Sequence, residues 1–362
     1  MKKKILISIL VILSSLLPAQ VLKNINVSSV GTLKTLLTST EKTTVTNLAV
    51  TGTIDARDIK FIRDSIRNLT ELDIINVTIL EYNGYEGTSY PNPFDQSLTI
   101  THYPANELPT QAFAGIRYLK SIKLPYSITS IEWGALQVCP ELSSIVIPNQ
   151  VKTIVGGTFY NCYKLSSVSM CNSVITLGDG IFANCEMLTD LTLSDSLKTI
   201  GGMAFGCKAL RSIKIPKSVT FIGTDAFFNT SFTSIYSYPT VPVDLTSSIS
   251  VFSGVNKSTC VLYVPKGSKT LYQTADQWKD FTNIVEMTTG IVPFSKSDIK
   301  IKTDNGNLIV ENAKAGDKVE IFSITGVKIK EQLTKGYQTK IKLQRGIYLI
   351  RVDNYSDKVS IK

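Results

Sequence analysis

Potentially reactive side chains recur in this chain at fixed spacing. Cys139, Cys162 and Cys185 are 23 residues apart, and Cys207 follows after 22. Thiols so placed suggest disulfide exchange, metal ligation or nucleophilic catalysis. Equivalent slots in successive coils lie about 4.8 Å apart, with side chains pointing the same way, which is poor geometry for an S–S bond. Thiols in a line do not make a tetrahedron around zinc, and no His supports them. The column therefore reads as buried small hydrophobes. Cys171 and Cys260 lie outside it, and the sequence assigns them no pairing. Any Ser–His–Asp or Cys–His site would have to use the single histidine, His102, which sits in a Tyr-rich loop where a surface role is expected. There is no P-loop, dinucleotide fingerprint or His/Cys metal spacing, and nothing marks a carboxylate pair for glycoside hydrolysis. The expectation is a protein with no catalytic residues, no metal and no cofactor.

A different chemistry, recognition by many weak hydrogen bonds, has better candidates. One column reads Ser121, Ser144, Ser167, Asp190 and Ser212; its neighbour reads Lys123, Val146, Ser169, Thr192 and Lys214. Small hydroxyls with a lysine near either end could accept a protein strand or a glycan. The plainer reading is that Ser and Thr simply suit a solvent-facing sheet. A second candidate is aromatic: Tyr82, Tyr85, Tyr90 and Tyr103 in the loop insertion 80–107, with Tyr160 and Tyr163 on the return path. Tyrosine supplies contact area at low entropic cost. A loop folded against the body of the protein is the alternative.

The elements that must carry these residues form a repeat. Phe113, Leu136, Phe159, Phe182 and Phe205 share the 23-residue period, and Phe227 follows after 22. A fixed period of this length predicts a solenoid, each unit burying its apolar side against the next. Within a unit, alternation places Ile145 and Ile147 in the core, with equivalents Val168 and Met170, Leu191 and Leu193, Ile213 and Ile215. A second short extended piece, as in VKTI, follows. Asn161, Asn184 and Asn229 precede the Cys slot or its equivalent and are expected to bond backbone groups of neighbouring coils, in the manner of an Asn ladder.

Residues 1–19 read as a signal peptide: Lys2, Lys3 and Lys4 lead a 13-residue apolar run that is short for a membrane span. Residues 20–107 read as an N-terminal cap with entry repeats and the loop; 108–235 as the repeats; 236–288 as a closing cap; 289–295 as a linker. In the first cap, 30–39 has helical spacing, 46–55 reads as a strand and 56–74 as a helix running into a strand. In the second, 268–281 reads as an amphipathic helix carrying Leu271, Trp278 and Phe281, between strands at 261–267 and 282–287. Residues 296–362 are Lys-rich alternating strands, a small all-β sandwich. The predicted fold class is thus a β-rich repeat solenoid with helical caps, followed by that sandwich. The formal charge of +9 is uneven: the signal holds +3 and 296–362 holds +6, leaving 21–295 balanced. No concentrated basic face marks a nucleic-acid binder.

The repeat unit PNQVKTIVGGTFYNCYKLSSVSM resembles the BspA-like leucine-rich repeat family, with the pattern P-x-x-V-x-x-I-x-x-x-A/T-F-x-x-C-x-x-L-x-x-I-x-I. TGTIDARD, YPANELPTQAF and VLYVPKGSKTLYQTADQWKDFTNIVE also look like that family, and the likeness covers roughly 25–288. Leu136 for Phe, a deletion in 194–215 and Thr230 for Cys are departures. The resemblance implies a secreted or surface-exposed leucine-rich repeat adhesin, binding host extracellular matrix proteins, glycans or other cells; the alternative is a structural spacer of the cell surface. The tail, through Gly346, Tyr348, Arg351, Val352 and Lys358 to Lys362, is similar to the sorting domain of the type IX secretion route. That resemblance implies export across an outer membrane through machinery that reads residues 296–362.

Overall fold

The structure, a computed structural model, describes residues 20–89, 101–287 and, towards the C-terminus, 300–304, 306–311, 318–323, 328–334, 338–352 and 355–361. The signal segment, Tyr90 and the linker lie outside these.

Among the described residues, eleven parallel strands stack in one column. They are Leu22–Val27, Asn47–Ile54, Glu71–Ile79, Ser121–Lys123, Ser144–Val146, Ser167–Ser169, Asp190–Thr192, Ser212–Ile215, Ser234–Ser237, Val261–Val264 and Asn283–Glu286. They are hydrogen-bonded in three blocks, the last two starting at Ser144 and Ser212. A second column holds two-residue strands from Glu107–Leu108 to Phe221–Ile222. The third side has no strands among the described residues, yet its backbone also bonds coil to coil: the N–H groups of Gly134, Leu136 and Val138 donate to the carbonyls of Gly156, Thr158 and Tyr160 at 2.7–3.1 Å. The chain is a β-solenoid of about eleven coils. On all three sides amide donors reach carbonyls of the neighbouring coil, which is why a unit cannot exist without neighbours.

The interior is one continuous core from Ile25 to Ile284, passing through the expected cap boundaries without a break. Its centre is the Phe slot. Successive rings of Phe159, Phe182, Phe205, Phe227 and Phe252 stack at 5.4–5.7 Å. Trp278 closes the column edge-on against Phe252 at 4.8 Å. The period therefore continues into the region read as a closing cap, at spacings of 25 and 26 that the sequence pattern hides.

Several local expectations need correction. Residues 30–39 hold a single 3-10 turn, Leu33–Thr35, before the short helix Ser39–Thr44. Gly31 turns at φ +77°, and Asp58 takes the amides of Gly31 (2.6 Å) and Leu33 (3.0 Å), so the backbone is spent before a helix can nucleate. The helix and strand expected over 56–74 are present, as Ala56–Ser65 with an Asp55/Asp58 capping box and Glu71–Ile79, the helix ending before Ile66 and Leu69. The later helix stops at Lys269–Thr274, with Leu271 exposed and Tyr272 buried. Trp278 instead sits in a turn, where its indole donates to the Val243 carbonyl at 2.9 Å. The three asparagines hold left-handed backbone, at φ 61°, 62° and 57°. Asn tolerates that region better than other side-chain-bearing residues. The ladder bond runs side chain to side chain, from Asn184 Nδ2 to Asn161 Oδ1 at 2.9 Å.

Seven strands from Lys300–Asp304 to Tyr355–Ile361 make two antiparallel sheets around their own core, including Leu308, Val319, Ile321 and Ile350.

Candidate binding face

The strand column sets the geometry of the candidate site. Parallel in-register pairing puts Ser144, Ser167 and Asp190 in one outward row and Val146, Ser169 and Thr192 in the next. Ser121 and Lys123 stand at the outward positions of Ser121–Lys123, and Ser212 and Lys214 at those of Ser212–Ile215. Ile122, Ile145, Val168 and Ile213 between them are buried. The two rows thus form one face, as the alternation requires.

Hydrogen bonding separates this face from its surroundings. One position before the outer row, Ser143, Ser166, Thr189 and Thr233 turn back and donate to the carbonyls of Lys120, Ser143, Ser166 and Arg211 in the preceding coil, at 3.0–3.4 Å. Among the described residues, the hydroxyls of Ser121, Ser144, Ser167, Ser169, Thr192 and Ser212 make no such bond. Small hydroxyls therefore occur in both settings, and only the outward ones are left for a partner. Lys123 is not a free cation: its Nζ donates to Asp73 at 2.7 Å.

Sequence reasoning missed the continuation of the face. Lys214 pairs in register with Tyr236, and Tyr236 with Tyr263. The two half-buried rings stack at 4.6 Å, 7° from parallel. Alternation within SIYS and VLYV marks both tyrosines as outward, but their spacing of 27 falls outside the period.

The loop tyrosines are dispersed. Tyr82 lies under the Arg57 guanidinium, 4.7 Å from its ring centre, and stacks on Tyr103 at 5.9 Å. Tyr103 is 6 % exposed and accepts from the Ser89 amide, so it holds the loop together and offers little to a partner. Tyr85 is 50 % exposed, and Tyr90 lies outside the described residues. Exposed His102 bonds Asn83 Oδ1 at 2.7 Å, with no nucleophile joined to it among the described residues.

The cysteine column is interior. The thiols of Cys139, Cys162 and Cys185 donate to the carbonyls of Phe113, Leu136 and Phe159 at 3.1–3.2 Å, and Cys207 to Phe182 at 3.4 Å. All are free thiols. Burial pushes Cys162 up to about 12 and raises the other three well above the usual thiol range. Thr230 fills the slot in the next coil and bonds the carbonyl of Phe227, in its own coil, at 2.9 Å. Among the described residues no His, Cys, Asp and Glu cluster could hold a metal, and no helix is long and apolar enough to cross a membrane.

Comparison with known proteins addresses the repeats. The model of the BspA type Leucine rich repeat region matches in six copies, over residues 95–206 and 134–247. No curated protein matches the chain. Among solved structures, the leucine rich repeat protein of T. pallidum is 28 % identical over 37 % of this chain and 68 % of its own, with a TM-score of 0.34. A leucine rich cell surface protein from Faecalibacterium prausnitzii is 22 % identical over 59 % of each chain, with a TM-score of 0.38. A leucine-rich repeat protein from Bacteroides ovatus is 17 % identical over 61 % of each chain, with a TM-score of 0.29. The chain spans less than two thirds of the latter two. The family match thus covers the middle of the chain, residues 95–247, which is similar to leucine-rich repeats of the BspA type.

Proposed function

We propose that this chain is a secreted or cell-surface recognition protein of adhesin type, holding a macromolecular partner on the strand face. The partner is a host extracellular matrix protein, a glycan or a component of another cell. One observation carries the reading: the face hydroxyls are unengaged while those one position earlier are spent on the neighbouring coil. Unpaired hydroxyls on a regular lattice favour a ligand that bonds repeatedly and weakly. The stacked Tyr236 and Tyr263 add a rigid aromatic anchor at one end of the same face. The apolar run near the N-terminus and the BspA-type repeats support an extracellular setting.

The test is binding of the purified chain to an array of extracellular matrix proteins and glycans. Saturable binding lost in Ser167→Arg/Ser169→Arg, and weakened in Tyr236→Ala, is expected. Binding that survives both but fails in Tyr85→Ala/Tyr90→Ala moves the site to the loop. No saturable binding favours the spacer reading.

The C-terminal sandwich is proposed as the export address of the type IX route, on the resemblance of its closing motif. Deleting residues 296–362 should leave the protein inside the outer membrane; surface display of the truncated chain, seen by cell fractionation, would refute this.

A further inference from the structure

A second surface also carries unengaged polar groups, on the side where the two-residue strands turn into the Phe-bearing segment. Trp133, Val155, Thr176, Leu177, Asp179 and Thr199 line a cavity of about 320 Å³ there. Its floor is bare backbone, because the coils approach too closely for side chains: a Cβ on Gly178 would lie 2.3 Å from the Gly156 nitrogen. Trp133, at one end, is 47 % exposed, an unusual position for so large an apolar ring. Its indole N–H has no acceptor among the described residues, and the half-buried hydroxyls of Thr176 and Thr199 are likewise unengaged. Asp179 gives one carboxylate oxygen to the Gly202 amide at 2.6 Å, leaving the other open.

These groups restrict what can bind. Among the described residues no Lys, Arg or His lines the cavity, so an anion would meet a carboxylate and no cation. A wholly apolar ligand would strip water from two hydroxyls, an indole N–H and a carboxylate without replacing it. An uncharged ligand dense in hydroxyls, with one flat C–H face, satisfies all of them. The volume lies at the small end of ligand sites, about that of one or two sugar rings. Register adds a direction: Thr176 pairs with Thr199 and Thr199 with Phe221, which is 43 % exposed. A second exposed ring therefore stands one coil beyond the cavity, along the stack.

We propose that this cavity is a binding site for a neutral saccharide. The C–H face of a pyranose rests on Trp133, and its hydroxyls bond Asp179, Thr176 and Thr199. A longer chain runs along the solenoid axis towards Phe221. The site is separate from the strand face and does not depend on it.

Trp133 and Trp278 are the two tryptophans of the chain, and Trp278 is fully buried, so quenching of fluorescence by acrylamide reports on the cavity. The full chain is titrated with cellobiose, maltose, lactose and N,N′-diacetylchitobiose, and with a sulfated heparin disaccharide. Saturable shielding of Trp133 by at least one neutral disaccharide is expected. It should weaken about tenfold in Thr176→Val/Thr199→Val, which keeps shape and removes two hydrogen bonds. Asp179→Asn, which keeps the acceptor for Gly202, should weaken it as well, and Tyr236→Ala should leave it unchanged. The proposal fails if no neutral sugar shields Trp133, if the sulfated disaccharide binds better, or if the Thr double variant binds as the parent does while its thermal transition is intact.

Discussion

Two columns run through the repeats, one inside and one outside. The inner column of Phe and Cys is closed: each ring from Phe159 to Phe252 stacks on the next, and each thiol donates to a carbonyl of the coil before. The outer rows through Ser144, Ser167 and Ser169 are open: their hydroxyls bond nothing among the described residues. Periodicity alone cannot distinguish them, since both arise from stacking the same unit. Accounting for each polar atom's partner does. A column whose groups are spent within the protein serves the fold, whereas one whose groups are unspent is available to a ligand.

The sharpest break of this contrast is in the inner column. Phe182→Ala empties a layer between two stacked neighbours and should cost about 3–5 kcal/mol, read by denaturant unfolding. An unchanged transition would mean that the rings are not the support of the stack.

Alkaline pH probes the same column with no mutation. Burial raises the four thiols in the fold, Cys162 to about 12, whereas unfolded thiols titrate near about 8.5. The folded chain therefore holds these protons more tightly. Their contribution is complete below about pH 8.5 and is lost as pH rises towards about 12, at up to ~1.4 kcal/mol per pH unit for each thiol. Cys162→Ser should make the loss shallower. A stability curve equally steep in that variant would place the alkaline sensitivity elsewhere.

The outer rows should show the reverse. Ser167→Ala/Ser169→Ala removes no bond within the protein and should move stability by less than about 0.5 kcal/mol. Partner binding should fall in the same variant. A clear loss of stability would show that these hydroxyls support the fold after all.

Much of this was legible beforehand. The period named the Phe and Cys slots, and alternation named the outward residues, because both follow from one backbone geometry repeated in register. Legibility ended where the period changed. Phe252 and Trp278 belong to the ring column and Tyr236 and Tyr263 to the outer face, yet longer coils displace them from the count. The helix expected at 30–39 failed for another reason: Asp58, distant in sequence, captures its amides. The Trp133 cavity joins residues from four consecutive coils, so no local pattern announces it.

The direction of the hydrogen bonds has a mechanical consequence. Between coils they lie along the stack axis, so tension between the two ends pulls each bond open lengthwise instead of shearing a whole strand at once. Coils should peel away singly, each freeing about 23 residues, roughly 75 Å of extended chain. A protein so built would yield under load by paying out length in small steps, dissipating work at each coil instead of failing at once.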